Sequence, residues 1–368
     1  MCNHWGYVMS SFMTGGELSS RFFVEVIRPL LDRHFPLLPY SAAHIGPGSD
    51  VLGFDTEMST DHDWGPRLIL FLRATDISCT DAIDVVFRRE LPRYFYGFPV
   101  SITTTDTEDD TAQSAKGVPD HRVPITTVSS FVWYHLAYAL DQPLTVADWL
   151  TFPAQILREL TSGTVHHDGL GELTTVRHRL SWYPYDVWLY ILASGWNRIG
   201  QEEHLMPRAG YIGDELGSAI IGSRLVRDVM SLCFLYERQY APYPKWFGSA
   251  FQQLSSKQLT SILQQAQYAP TWQEREGALT TAYAYLAHVH NTSGITDPLP
   301  DTASLFFSRP FQVIHGDAFA DAIRARITDP EVRHIAARPL IGNIDQISDN
   351  TDIHGIGNWR PLLRALYQ

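Results

Sequence analysis

Apolar residues at Phe22, Val26, Ile27, Leu30 and Leu31 recur at intervals of one, three and four, the spacing of a helix that buries one stripe. The pattern predicts an opening helix over residues 18–35, with Ser19 and Ser20 as capping candidates. The run Tyr40-Ser41-Ala42-Ala43-His44-Ile45 lacks that period and predicts a short buried strand leading into the turn Gly46-Pro47-Gly48-Ser49. Residues 51–58 read as a short helix or irregular loop. A second strand is predicted over 61–72, closing on the apolar run Leu68-Ile69-Leu70-Phe71-Leu72. A helix over 81–95 carries Ile83, Val86, Phe87 and Leu91 on one face. Strands near 99–104 and 122–128 flank an Asp-, Thr- and Gly-rich stretch, 105–120, that reads as an exposed loop.

From about residue 144 the helical period dominates. Ile221, Leu225, Val229, Leu232, Tyr236 and Tyr240 fall three or four apart, with Arg224, Arg227, Asp228 and Arg238 on the other side. Further helices are predicted over 186–196, 257–267 and 273–288, then a strand over 311–314 and a helix over 318–327 that cap the bundle or return to the sheet. The fold class is therefore α/β (α+β) with a mixed sheet over 1–143, followed by an all-α bundle over 144–368.

A chain of 368 residues is long enough for two such cores. Its 45% hydrophobic and 18% charged composition marks a folded protein, not a disordered one. The net charge of −12, with no Lys/Arg cluster, argues against a nucleic-acid partner, since neutralising phosphates needs a concentrated basic surface. Cys2, Cys79 and Cys233 are odd in number and widely spaced, which argues against a disulfide framework or structural zinc and for a cytoplasmic location. No apolar run has membrane-spanning length, so no membrane partner is expected. Residues 1–8 read as a loose tail, with Met9 or Met13 an alternative start.

The stretch GSDVLGFDTEMSTDHDWGP concentrates the candidate chemistry. Gly48 and Ser49 form a small-residue turn, and Asp61 and Asp63, if on a strand, leave the same face. Two close carboxylates repel each other unless a proton or cation intervenes, and hard oxygen donors favour Mg²⁺. His62 between them would face the opposite side, as a core or supporting residue.

Gly-Ser, a gap of about a dozen residues and Asp-x-Asp resemble the signature of the nucleotidyltransferase superfamily typified by DNA polymerase beta. The architecture is similar to that of kanamycin and lincosamide nucleotidyltransferases. That same run, with DWL near Asp148, HDGLGEL near Asp168, RIGQEEH near Arg198 and YAPYPKWFG near Lys245, also resembles a bacterial and fungal family within the superfamily catalogued as a domain of unknown function. The resemblance implies that Gly48 and Ser49 bind the phosphates of a nucleoside triphosphate, where amides of the turn and of the following helix stabilise anionic oxygens. It implies that Asp61 and Asp63 hold Mg²⁺, and that a nucleoside monophosphate moves to a small-molecule hydroxyl acceptor. Glu202 or Glu203 would serve as general base and Lys245 would reach the triphosphate. The superfamily's third carboxylate is missing, because Val123-Pro124-Ile125 occupies its strand, and Asp106 or Asp120 are the substitutes at hand.

Blander readings stand beside these. Asp55 and Glu57 read as a solvated acidic loop, His166-His167-Asp168 as a loop, and Glu202 and Glu203 as surface or capping carboxylates. Lys245 reads equally as an exposed turn residue, and the loose Arg198-to-His204 spacing of a helical ribonuclease family as a chance match. Trp182, Tyr183, Tyr185, Trp188 and Tyr190 read as bundle core. The alternative to transfer is a nucleotide-binding or regulatory protein with a decayed site, or an enzyme that places AMP on protein.

Overall fold

In the computed structural model, residues 12–61, 64–102, 120–355 and 357–368 are described, with backbone alone at Asp61, Ile102 and Asp120. The chain divides into two compact units, one of residues 1–134, 138–140 and 158–181, the other of 135–137, 141–157 and 182–368.

The first unit opens with helix α1, Gly15–Phe22, a π-helical turn over Phe23–Ile27, and helix α2, Arg28–His34. The start lies earlier than expected because Thr14 and Glu17 carry a Thr-x-x-Glu pattern, and Thr14 Oγ1 accepts the Glu17 amide at 3.3 Å. Ser19, expected as a cap, is instead fully buried inside the helix, where its hydroxyl donates to the Arg67 carbonyl at 2.7 Å. The π turn has a cause in sequence. Pro29 lacks an N–H and crowds the carbonyl four residues back, and the wider turn, in which Arg28 N–H reaches Phe23 O, accommodates it.

Behind this helix lies a four-stranded mixed sheet of β1 (Tyr40–His44), β2 (Ile69–Leu72), β3 (Ile125–Thr126) and β4 (Thr164–Asp168), ordered β3-β2-β1-β4. β1 is paired on both sides and buried along its length, which suits its small residues Ser41, Ala42 and Ala43. It runs antiparallel to β2, with Ala43 opposite Ile69, and antiparallel to β4, with Ser41 opposite Asp168. β2 and β3 are parallel, Leu70 opposite Ile125, so the chain must cross over between them. Helix α4, Thr80–Glu90, lies on that crossover and sends Ile83 and Phe87 into one core with Leu18, Phe22, Ile27, Leu70 and Leu72.

Two strand expectations change. The strand expected over 61–72 begins only at Ile69, and Asp61 ends a 3₁₀ helix, Glu57–Asp61. Gly65 at φ +155° followed by Pro66 interrupts extended pairing before that point. The stretch expected to be helical almost throughout contributes β4 to the first unit's sheet. Its approach depends on Gly163, at φ +69°, where a side chain would strike the carbonyl of His44.

In the second unit helix α5, Tyr185–Glu202, buries Val187 through Trp196 together with Ile199. Helices α6 (Glu215–Tyr236), α7 (Pro244–Phe251), α8 (Trp272–Ser293), α9 (Gly316–Arg324) and α10 (Ile344–Ile347) belong to the same unit. Trp196 of α5 stacks on Phe319 of α9, with centroids 4.2 Å apart. The strand expected near 311–314 is Gln312–Val313, paired with Ser304–Leu305 in a small hairpin and not with the four-stranded sheet. Tyr183, Trp188 and Tyr190 are core residues as expected, whereas Tyr185 is 54% exposed.

Candidate functional site

The connection 45–68 leaves the sheet at the end of β1 and re-enters it at the start of β2, which pair end to end at Ala43 and Ile69. It carries Gly48, Ser49, Asp61 and Asp63. Because β3 is parallel to β2, its start lies at the same end of the sheet, and Pro124 immediately before it accepts the Leu70 amide through its carbonyl at 2.9 Å. Proline's role there is confined to its carbonyl and ring, with no carboxylate to offer.

Gly48 stands at φ +139° and precedes the one-turn helix α3, Ser49–Leu52. A buried polar cluster fixes this turn. Asp50, only 8% exposed, accepts Arg67 Nε on Oδ2 at 2.9 Å and Arg67 Nη2 on Oδ1 at 2.7 Å, while His44 donates from Nε2 to Oδ2 at 2.8 Å. Arg67 Nη2 also donates to the Pro47 carbonyl at 2.8 Å, tying the loop just before the glycine. Burial alone would push the Asp50 carboxyl up; the bonds from His44 and Arg67 outweigh it and hold the group well below the usual carboxylate range. Neither Asp50 nor Arg67 was singled out from sequence. The signal was there in the charged residue directly after Gly-Ser, but its partner lies 17 positions downstream.

Asp55 is not a solvated loop acid. It accepts the Gly15 amide at 2.7 Å and Trp64 Nε1 at 3.0 Å, fastening the start of α1. The strand geometry expected for Asp61 does not hold, since its backbone is 3₁₀. Asp63, His62 and Asp106 lie outside the described residues, and Asp120 is described in backbone only, in a two-residue strand with His121. Among the described residues no group of three or more His, Cys, Asp and Glu could hold a metal ion.

His166, His167 and Asp168 belong to β4 and not to a loop. His166 lies 2.9 Å from Ser19 Oγ and stacks on Phe23, and burial pushes it down to about 4. Asp168 accepts Ser41 Oγ at 2.7 Å and the Thr174 amide at 2.9 Å. These are structural bonds.

The two glutamates expected near the end of α5 have different lives. Glu203 is buried and accepts the amides of Ile314 at 2.6 Å and Gly316 at 3.0 Å, so both oxygens hold the entrance to α9. Burial pushes its carboxyl up to about 7 against the pull of those amides. Glu202 pairs with Arg224 at 2.5 Å through Oε1, and its buried Oε2 has no partner among the described residues. Burial raises this carboxyl too. Lys245 is exposed in the first turn of α7, its ammonium 5.0 Å from the Trp246 ring centroid. Arg198 is bound to Asp228 at 3.1 Å and to the Gln346 carbonyl at 3.1 Å, and His204 stacks on Phe306, so the two serve separate contacts.

Residues 149–247 match the family described as Domain of unknown function (DUF4037). That span takes in Glu202, Glu203 and Lys245 and lies downstream of Gly48, Ser49, Asp61 and Asp63. No curated protein matches the chain, and no solved structure does. Among the described residues no helix is long and apolar enough to cross a membrane.

Proposed function

We propose that the chain is a Mg²⁺-dependent nucleotidyltransferase that moves a nucleoside monophosphate from a nucleoside triphosphate to a hydroxyl of a small molecule. The observation that carries this reading is topological. The Gly48-Ser49 turn follows β1, and the pairings Ala43 with Ile69 and Leu70 with Ile125 put the end of β1 and the starts of β2 and β3 at one end of one sheet.

In the proposed reaction the acceptor oxygen attacks the α-phosphorus, its proton passes to a base, and the bond to the β-phosphate oxygen breaks to release pyrophosphate. Mg²⁺, held by Asp61 and Asp63, would offset charge on the triphosphate and the leaving group. Arg67, tied to Asp50 and Pro47, would hold in place the Gly48 turn that this reading assigns to the phosphate oxygens. Glu203 is spent on backbone amides, so of the two glutamates only Glu202 keeps an oxygen with no partner among the described residues.

The test is pyrophosphate release from each nucleoside triphosphate with Mg²⁺, for the native chain and for a variant with Asp61→Asn and Asp63→Asn that keeps its circular dichroism spectrum. Turnover should vanish in the variant. Release at the native rate would remove the assignment. Pro124 at the start of β3, acting through its carbonyl, favours a second reading, a nucleotide-binding protein without turnover. Calorimetric nucleotide binding with no pyrophosphate from the native chain would select it.

A further inference from the structure

A cavity of about 260 Å³ lies wholly within the second unit, close to the lower end of the roughly 300–1,000 Å³ usual for small-molecule sites. Its wall follows from helical spacing. Arg224, Arg227, Asp228 and Ser231 lie at i, i+3, i+4 and i+7 on one face of α6, and Arg198 of α5 faces them. Leu232 supplies an apolar floor.

Charge within the cavity is divided by depth. Asp228 is 8% exposed, and although Oδ1 takes Arg198 Nε at 3.1 Å, Oδ2 is buried with no partner among the described residues. An unpaired buried carboxylate oxygen calls for a donor. Arg224 and Arg227 are half-exposed at 55% and 42%; Arg224 is paired with the largely buried Glu202 at 2.5 Å, whereas Arg227 is held by Asp349, itself 67% exposed and so easily displaced. The lining carries three guanidiniums, on Arg198, Arg224 and Arg227, and three carboxylates, on Asp228, Asp345 and Asp349, whose formal charges cancel. A bare anion would meet Asp228, and a bare cation would meet the guanidiniums. A molecule with a cationic donor at one end and an anion at the other satisfies both.

We propose that this cavity binds a small zwitterion of the amino-acid class, its ammonium facing the Asp228 carboxylate and its carboxylate accepting from Arg227 in place of Asp349. The inference concerns binding alone and does not rest on the transfer reading.

Isothermal calorimetry on the full chain, without nucleotide, tests it with the proteinogenic L-amino acids as probes. The expected result is one-to-one binding of at least one of them. Its methyl ester and its N-acetyl form should each bind about tenfold more weakly, because each removes one charge. Asp228→Asn should weaken binding about tenfold, and Ser231→Phe, which fills the cavity from the surface of α6, should abolish it even if the Asp228 variant misfolds. The proposal is overturned by no binding at millimolar concentration, by equal binding of the N-acetyl form, or by inorganic phosphate binding that is unchanged in Asp228→Asn.

Discussion

Arg67 grips Asp50 with two parallel bonds, Nε to Oδ2 at 2.9 Å and Nη2 to Oδ1 at 2.7 Å, and so joins the start of β2 to the turn that follows β1. Removing one partner of a buried charged pair strands the other. Asp50→Asn should lower stability by about 3 kcal/mol at neutral pH, measured by urea unfolding. The Asp50 carboxyl is held below its ordinary range, so its contribution is present above about pH 4 and is lost as pH falls further. The gap between native and variant chains should therefore narrow in acid. A constant gap would assign the loss to packing.

Gly48 has a second constraint besides its φ of +139°. A side chain there would strike both Arg67 Nη2 and Asp50 Oδ1. Gly48→Ala should cost about 1–3 kcal/mol from backbone strain and displace the guanidinium from Pro47. The variant should bind nucleoside triphosphate more weakly than the native chain by calorimetry, whereas Gly53→Ala, where φ is also positive but no atom lies within 4 Å, should leave nucleotide affinity unchanged.

Glu203 is a buried acid whose carboxyl burial raises from 4.5 to about 7. Between these values the folded chain keeps the proton that the unfolded chain has released, so stability falls as pH rises. The shift corresponds to about 3 kcal/mol. Glu203→Gln cannot ionise, so the native-minus-variant stability should decline by about that amount between pH 4.5 and pH 7. Urea midpoints across the window check this, and a flat difference would refute it.

His290 sits in a directed chain of hydrogen bonds. Trp196 Nε1 donates to Tyr236 Oη at 2.7 Å, Tyr236 Oη donates to His290 Nδ1 at 3.0 Å, and His290 Nε2 donates to Thr296 Oγ1 at 2.7 Å. This order requires the neutral Nε2–H tautomer. Burial pushes the imidazole down to about 4, so its contribution is present above about pH 6.5 and is lost as pH falls toward 4. The effect opposes that of Glu203 over their shared window. Tyr236→Phe removes the middle link, leaves Trp196 Nε1 and His290 Nδ1 unpaired, and should cost about 1–3 kcal/mol. Imidazole nitrogen shifts at pH 6 should report the Nε2–H tautomer in the native chain; a protonated ring there would contradict the chain.

Much of the local structure was legible. Phe22, Ile27 and Leu30 announced the first helix because apolar residues at helical spacing have one stripe to bury, and Ala42 and Leu70 marked strands of the same core. Thr14 and Glu17, not the expected Ser19, mark the helix start in a Thr-x-x-Glu pattern. The candidate chemistry was half legible. The Gly48-Ser49 turn lies where expected, but Asp61 is not on a strand, because Gly65 and Pro66 deny the ladder its geometry and its donor.

The order of residues by itself determined which segments could be helix or strand, since period, caps and breakers act within a few positions. Tertiary structure alone decided that β4, drawn from a helical stretch, pairs with β1, that Arg67 belongs to Asp50, and that Glu203 is spent on α9 while Asp228 keeps an oxygen with no partner among the described residues. The reason is physical: a carboxylate's role depends on which donors surround it after burial, and those donors come from distant parts of the chain.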